Sequence, residues 1–338
     1  MNTYTFPERP KASKKKHYVM VIPDAHIGYV VDHPTYSIPC WDIVLQALKH
    51  NAKRLTHVLI LGDFGNWESL SRWAALRADQ CFIEEDLALV NNRLDELQAI
   101  TAKHGIKVVF LEGNHEAWAS QFEAKYPAMR DVVNLKKRMR MAERGWTWVP
   151  ENHFWAIGQQ YFTHGHIAGC KSMTDLIKRT GVSVIVGHWH TYMSETLRTL
   201  TGEHTAQTFG CIASMDPPPP YVRGSVLSRV VQGFGFVQIR ASGAAMSSYR
   251  RILEETHTEL EDGTELRADI RACDRRYAQD QAIRDALRKE YGERFYEPGG
   301  QVVRTEPLLN GKLKNGQAKS GTRTNRARIL RVLPDANG

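Results

Sequence analysis

Long apolar runs are missing from this 338-residue sequence. No stretch approaches the roughly 20 apolar residues that a helix needs to cross a bilayer. The charges among the first 20 residues precede a run that is too short and too interrupted for the core of a signal peptide. We therefore expect a cytoplasmic protein that has no membrane partner.

Cysteine is also scarce, with five residues scattered along the chain: Cys40, Cys81, Cys170, Cys211 and Cys273. Their number is odd and no two form a Cys-x-x-Cys pair, so neither a disulfide framework nor a zinc ribbon is indicated. We interpret them as buried or incidental thiols. The composition, with 42% hydrophobic and 24% charged residues, suits one large domain with appendages or two modest domains.

The formal net charge of +8 comes from the two ends of the chain. Residues 1–20 carry +4 and residues 298–338 carry +6, which leaves −2 for all the residues between them. Basic segments of this kind bind polyanions through phosphate contacts and counterion release. Nucleic acid is therefore an expected partner, and a solvated tail without a partner is the alternative.

Short apolar runs alternate with helical patterns over residues 16–239, which favours an α/β fold. Apolar residues recur at helix spacing in residues 41–55 and 84–105. The segment 116–150 is mostly helical in composition and is broken at Pro127. Because it lies between two strands that end in polar residues, it forms either a packing helix or a wall over that polar region.

Five apolar runs end in residues that can bind metal ions: HYVMVIPDAHIG, THVLILGDFGN, VVFLEGNHEAW, QQYFTHGH and VSVIVGHWH. The candidate ligands at these ends are Asp24, His26, Asp63, Asn114, His164, His188 and His190. Because the carboxyl ends of strands in an open α/β sheet meet in one crevice, we expect these side chains to converge. Carboxylate, imidazole and amide donors suit divalent ions such as Mn²⁺, Fe²⁺ or Zn²⁺. Seven ligands are too many for one ion and about right for two ions that share Asp63.

The ordered motifs DAH, GDFGN, GNHE, THGH and GHWH resemble those of the calcineurin-like metallophosphoesterase superfamily, namely DxH, GD, GNH[DE], an isolated His and GHxH. Each motif alone is weak, but all five occur in order and each follows an apolar run. The resemblance extends from about residue 18 to 240. It implies an α/β fold, an αββα sandwich of two mixed β-sheets flanked by helices, here with a C-terminal helical extension and a basic tail.

The resemblance also implies roles for individual residues. One metal ion would be held by Asp24, His26, Asp63 and His190, and the other by Asp63, Asn114, His164 and His188. The candidate catalytic residues are His115, as an acid or phosphate-stabilising imidazole, and Glu116, which would orient His115. Mn²⁺ is the expected metal, with Fe²⁺, Zn²⁺ or Mg²⁺ as alternatives. His166, two residues after His164, could take its place as the ligand.

The function implied by the resemblance is phosphoester hydrolysis by a hydroxide that bridges two metal ions, with His115 protonating the departing alkoxide. Protein Ser/Thr phosphatases of the superfamily carry GDxxDRG where this chain has GDFGNWES, so their phosphate-clamping Arg is absent and a protein substrate is disfavoured. The intact GHWH is similar to the phosphodiesterase and nuclease branches, which include nucleases of double-strand-break repair. The overall layout is similar to phage-encoded members described as DNA repair exonucleases or phosphoesterases, which would act in the host cytoplasm.

Two other functions stay open on the sequence alone. One is a phosphomonoesterase for small metabolites or nucleotides, and the other is a non-catalytic nucleic-acid-binding protein with a vestigial site. Trp67, Arg72 and Trp73 could stack on or clamp a nucleotide, with a buried Trp67 as the alternative. The predicted organisation is a basic N-terminal tail (1–16), a metallophosphoesterase domain (17–258) with a helical insert (116–150), a charged helical extension (259–297) and a basic, disordered tail (298–338).

Overall fold

The computed structural model describes residues 5–7, 15–30, 33–71, 83–165, 172–215 and 229–295. The chain divides into two units, Met1–Glu290 and Tyr291–Gly338, and the architecture below is that of the first. The predicted disordered tail and most of the predicted N-terminal tail lie outside the described residues. Within the described part of the chain, no helix is long and apolar enough to cross a membrane.

The strands, in chain order, are β1 His17–Ile22, β2 Tyr29–Val30, β3 His33–Pro34, β4 His57–Ile60, β5 Lys107–Leu111, β6 Thr147–Val149, β7 Trp155–Ile157, β8 Gln160–Thr163, β9 Ser183–Val186, β10 Tyr192–Thr199, β11 Gly202–Phe209, β12 Gly233–Ile239, β13 Ala245–Arg251, β14 His257–Glu259 and β15 Glu265–Arg267. The helices are α1 Ile38–Asn51, α2 Ile83–Lys103, α3 Asn114–Lys125, α4 Arg130–Val133, α5 Leu135–Arg138, α6 Met173–Thr180 and α7 Ile270–Phe295. Short 3₁₀ turns lie at Glu68–Leu70 and Pro127–Met129.

Two large sheets carry the fold. The first has the strand order β13-β12-β1-β4-β5-β6, in which β1, β4, β5 and β6 run parallel and β12 and β13 are antiparallel to their neighbours. The second has the order β10-β11-β9-β8-β7, in which β8, β9 and β11 run parallel and the two edge strands are antiparallel. Both sheets are therefore mixed, as the resemblance implied.

The pleat of β1 shows how the layers stack. Val19 and Val21 face the second sheet and pack with Phe162 of β8, whereas the alternate residue Met20 packs on the side of α1 and α2. Successive side chains of a strand point to opposite faces, so one buried strand supplies two separate cores. On the far side, α6 packs against the second sheet through residues that include Leu176. These cores confirm the αββα sandwich.

Local sequence signals set the helices that cover the first sheet. The hydroxyl of Ser37 accepts a hydrogen bond from the backbone nitrogen of Cys40 at 3.2 Å and so caps α1. In α2 the predicted apolar stripe is buried: Leu87, Leu94, Leu97 and Ile100. Each such buried side chain contributes about 1.5–3 kcal/mol relative to an exposed one.

The segment predicted as a helical insert, 116–150, is helical only in part. It contains most of α3 together with α4 and α5, and α3 ends at Lys125 because Pro127 disfavours helical backbone at the residue before it. Its last residues form β6, which extends the first sheet parallel to β5. Three residues are too few to show the alternation that marks a strand in a sequence.

The charged helix α7 packs on α2 through an ionic stripe, which we define as Arg276, Asp280, Arg284 and Arg288. These residues are spaced four apart and so lie along one side of the helix. Their partners on α2 are Glu96 for Arg276 at 2.8 Å, Arg93 for Asp280 at 2.5 Å, and Glu85 for both Arg284 at 3.2 Å and Arg288 at 2.7 Å. Because the residue numbers of the partners on α2 decrease as those on α7 increase, the two helices run antiparallel.

Apolar contacts are secondary in this docking. Ile283 of α7 is only half-buried and Ala286 is exposed. Asp280 and Arg93 are fully buried instead, and the Tyr36 hydroxyl donates to the second oxygen of Asp280. The helix is thus held by paired buried charges, and removal of either partner would destabilise the protein.

Candidate metal centre

The carboxyl ends of β1, β4, β5, β8 and β9 meet at one edge of the sandwich and bring the predicted ligands together. Three groups of side chains have ligand atoms within 4.8 Å of one another: Asp24, His26 and His190; His26, Asp63 and His115; Asp63, His164 and His188. Asn114 joins the third group, since its Oδ1 lies 3.0 Å from His164 Nε2. The groups share His26 and Asp63, so they form one continuous centre.

The first group contains two imidazoles that face each other. His26 Nε2 and His190 Nε2 are 3.0 Å apart, and His190 Nε2 lies 3.5 Å from Asp24 Oδ1. Asp24 is fully buried, and its Oδ2 accepts no hydrogen bond from any described residue. A buried carboxylate oxygen without a donor is costly unless a cation offsets its charge. The residues of this group therefore fit a metal ion.

The third group also presents several ligand atoms to one point. His164 Nδ1 donates to the Leu61 carbonyl at 2.8 Å, and His164 Nε2 lies 3.0 Å from Asn114 Oδ1 and 3.2 Å from Asp63 Oδ2. Two oxygens that converge on this nitrogen need a positive charge between them, which a proton on Nε2 or a metal ion can supply. Burial acts to lower the pKa of His164, but the Asp63 carboxylate outweighs it and raises this pKa to about 10.

The pKa of Asp63 also reflects the positive charge that this buried carboxylate attracts. Burial acts to raise the pKa of Asp63, but His164 and His115 outweigh it and hold the pKa well below its usual range. The group is fully enclosed, with 2% of its surface exposed. The site thus stabilises a buried anion surrounded by nitrogen donors.

The backbone is strained at four of the candidate ligands. The φ angles of His26, Asp63, His188 and His190 are 51°, 44°, 67° and 53°, in the left-handed region. Residues other than glycine seldom adopt this conformation, which costs on the order of 1–3 kcal/mol at each position. The strain turns the side chains away from the strand direction and into the crevice.

Gly113 allows the loops after β4 and β5 to touch. A Cβ at this position would lie 2.2 Å from both the backbone nitrogen and Oδ1 of Asp63. The φ of Gly113 is −86°, which any residue can adopt, so contact alone requires glycine here. The opposing Gly62 is equally confined, since its Cβ would lie 2.6 Å from the Gly113 nitrogen.

Replacing Gly113 by Ala is expected to lower metal affinity by at least about tenfold, the range found when the support of a metal ligand is lost. The added methyl must push Asp63 away from His164. Titration with Mn²⁺ followed by isothermal calorimetry measures the affinity. Gly105→Ala is the control, because that glycine has a φ of +64° but no atom within 4 Å of its Cβ. Unchanged affinity in the Gly113 variant would contradict the prediction.

Glu116 lies between the loops that follow β4 and β5. Its carboxylate accepts hydrogen bonds from the backbone nitrogens of Asp63, Phe64, Gly65 and Gly113 and from Trp67 Nε1, at 2.8–3.1 Å. The carboxylate thus holds the two loops together, and its role in orienting His115 stays a prediction. Burial and the nearby charge of Asp63 raise the pKa of Glu116 to about 7, while its donors favour the charged form.

His115 is oriented by residues that the sequence reading did not assign. Its Nδ1 donates to the Asn66 carbonyl at 2.7 Å, and its ring lies against Trp118 with centroids 4.0 Å apart. Its Nε2 therefore points toward the centre, 3.9 Å from Asp63 Oδ2. The sequence did contain a signal for Trp118, because it follows His115 by three positions in a helix.

The sequence left two alternatives open here: a nucleotide contact by Trp67, Arg72 and Trp73, and His166 as a ligand in place of His164. Trp67 is fully buried and donates to Glu116, so the buried interpretation is correct and it offers no stacking surface. Arg72, Trp73 and His166 lie outside the described residues. The structure places His164 beside Asp63, with 3.2 Å between His164 Nε2 and Asp63 Oδ2, and the choice between His164 and His166 stays a prediction.

A sandwich whose strand ends converge on buried carboxylates and imidazoles is the architecture of a metal-dependent hydrolase of phosphoric esters. The family comparison confirms this class. The chain belongs to the calcineurin-like phosphoesterase family, whose model matches residues 17–192. That range contains all nine candidate site residues.

The solved structures that resemble this chain include a distant one. The crystal structure of a conserved uncharacterized protein from Streptococcus pneumoniae TIGR4, described as a predicted phosphoesterase, is similar at 12% sequence identity and a TM-score of 0.30. The alignment covers 72% of this chain and 87% of that one. No curated protein gave a significant match.

Proposed function

We propose that this phosphoester hydrolase is a two-metal phosphodiesterase that cleaves nucleic acid. The observation that carries the proposal is the position of Asp63, which lies in two of the three ligand groups. A carboxylate shared in this way suits a pair of divalent ions at the ~3.5–4 Å separation of dinuclear hydrolases. The neighbouring groups then supply the remaining ligands on either side.

The residues divide between the two ions as follows. Asp24, His26 and His190 would hold one ion, and Asn114, His164 and His188 the other, with Asp63 between them. Such ions lower the pKa of a coordinated water and neutralise phosphoryl oxygens. The mixture of carboxylate, amide and imidazole donors suits Mn²⁺, with Fe²⁺, Zn²⁺ and Mg²⁺ as alternatives.

The chain's own chemistry centres on His115. Because Nδ1 is bound to the Asn66 carbonyl, any proton that His115 exchanges with a substrate must be carried at Nε2. Nε2 faces the centre, where it can protonate the departing alkoxide of a phosphodiester. The contact with Trp118 and the bond to Asn66 keep the ring from turning away, so less ordering is needed in the transition state.

Two features support a nucleic acid as the substrate. The basic segments 1–20 and 298–338 carry +4 and +6, which favours a polyanion. In addition, the loop position that carries a phosphate-clamping Arg in protein phosphatases is occupied by Trp67, whose side chain is buried against Glu116. A phosphoprotein substrate would therefore lack the contact between its phosphate and that Arg.

The proposal is tested by comparing two substrates with Mn²⁺ present: bis-p-nitrophenyl phosphate, a diester, and p-nitrophenyl phosphate, a monoester. We expect the diester to be preferred and single- and double-stranded DNA to be cleaved in the next experiment. A preference for the monoester would instead indicate a phosphomonoesterase of small metabolites or nucleotides. Tight binding of nucleic acid without turnover in any divalent metal would indicate a vestigial site.

A further inference from the structure

An aromatic track runs along one side of α3 from the candidate centre to the protein surface. We define the track as His115, Trp118, Phe122 and Tyr126. With 100° of rotation per residue, the first three positions fall within about 60° of arc on α3, and Tyr126 is the residue that follows its end. Ring centroids are 4.0 Å apart for His115 and Trp118 and 4.9 Å apart for Phe122 and Tyr126.

Exposure increases along the track with distance from the metal centre. His115 is buried, Trp118 and Phe122 are half-buried, and Tyr126 is 45% exposed. At 1.5 Å of rise per residue, the track is about 16 Å long. A fully buried aromatic row would be ordinary core packing, but this one ends in a large ring left open to solvent.

Positive charge accompanies the outer end of the track. Lys125 Nζ lies 5.2 Å from the centre of the Tyr126 ring, and Arg130 and Lys136 are exposed on the segment that follows. None of these three cations forms an ion pair within the described residues, and Glu123 is the acidic group nearest to them in α3. Unpaired cations beside exposed rings match the chemistry of a strand of nucleic acid.

We propose that the aromatic track binds a single strand of nucleic acid, whose unpaired bases stack on Tyr126, Phe122 and Trp118 as the strand leads to the phosphodiester at the centre. The inference rests on the proposed function and names the form of its substrate. At about 3.4 Å per nucleotide along one strand, the track is long enough for about five nucleotides. Lys125 and Arg130 then contact the phosphates.

Stacking favours a single strand over a duplex. Bases in a duplex already stack on one another, so their faces are not available to aromatic side chains. A protein partner is disfavoured because the exposed cations around Tyr126 would lose hydration without a polyanion to pair with. The track is thus expected to distinguish unpaired from paired nucleic acid.

The test measures binding of a fluorescent single-stranded oligonucleotide by anisotropy, with EDTA present to prevent cleavage. Tyr126→Ala is expected to raise the dissociation constant at least about fivefold, because stacking on one base is worth about 1–3 kcal/mol and 1.4 kcal/mol is tenfold. Tyr277→Ala is the matched control, since Tyr277 is 46% exposed on α7. Lys125→Ala should weaken binding and lower the salt slope by about 0.7.

The outcomes separate this inference from the function on which it rests. Loss of binding in the Tyr126 variant but not in the Tyr277 variant, with no change for the matched duplex, supports the track. The proposal is overturned if the Tyr126 variant binds the single strand as tightly as the Tyr277 variant does. It is also overturned if the Tyr126 variant loses as much affinity for the duplex as for the single strand. Thermal unfolding checks that each variant is folded. Hydrolysis of the small diester by the wild-type protein is measured separately, so absence of turnover would count only against the proposed function.

Discussion

Replacing Asp63 by Asn is expected to lower phosphodiester hydrolysis by at least about 10³-fold while the protein stays folded, because a shared metal ligand supplies several kcal/mol of transition-state stabilisation. The Oδ2 atom that faces His164 at 3.2 Å would lose its charge. The fold should survive, because the amide oxygen can still accept from the His115 backbone nitrogen, which lies 2.8 Å from Asp63 Oδ1. Asn also tolerates the left-handed φ of 44°.

The loss is measured as kcat/KM on bis-p-nitrophenyl phosphate, together with metal content by mass spectrometry. Asp95→Asn is the matched control, since Asp95 is 53% exposed and pairs with Arg140 and Arg144 far from the metal ligands in sequence. We expect the Asp63 variant to bind fewer metal ions than wild type and the control to bind the same number. Retention of more than a tenth of the activity would refute the assignment of Asp63 as the shared ligand.

The second large effect is expected at the ionic stripe of α7. Asp280→Ala should lower the free energy of unfolding by about 3–5 kcal/mol, the cost of removing one partner of a buried ion pair. The charge left behind is the guanidinium of Arg93, which is fully buried and bonded to the Tyr36 hydroxyl at 3.1 Å. Its remaining ionic partner is Glu96, whose Oε2 lies 3.2 Å from Arg93 Nη1 and whose side chain is 26% exposed.

Urea unfolding measures this prediction, with Asp274→Ala as the control because Asp274 is exposed on the same helix. The paired change Arg93→Met with Asp280→Leu should recover most of the loss, since an apolar pair of similar volume replaces both charges. If the single Asp280 variant loses less than about 1 kcal/mol, the buried pair does not hold α7 in place.

The parts of the fold and site that depend on local pattern were predictable from the sequence. Apolar runs that end in Asp24, Asp63 and Asn114 identified both the parallel strands and the edge at which their side chains meet. The order of five short motifs then identified the family, which the match over residues 17–192 confirms. The assignment of each ligand to a particular metal stays a prediction.

The features that the sequence did not reveal depend on contacts between distant segments. The carbonyl of Asn66 that orients His115 is a backbone atom, so no residue type marks it. The role of Glu116 in orienting His115 stays a prediction, but no sequence pattern shows that two loops meet at its carboxylate and give it five N–H donors. The polar docking of α7 was missed because charged residues in a helix are more often solvated.

The ionic stripe also fixes the alignment of α7 along α2. Asp280 is the one acidic residue of the stripe, so it faces Arg93 while its neighbours in the stripe, Arg276 and Arg284, face glutamates of α2. A slip of α7 by one helical turn in either direction would set an arginine against Arg93 and carry Asp280 to a glutamate. Hydrophobic contacts would permit such a slip at little cost, whereas like charges facing each other forbid it. The sequence thereby specifies one alignment of its C-terminal helix and excludes the two nearest alternatives.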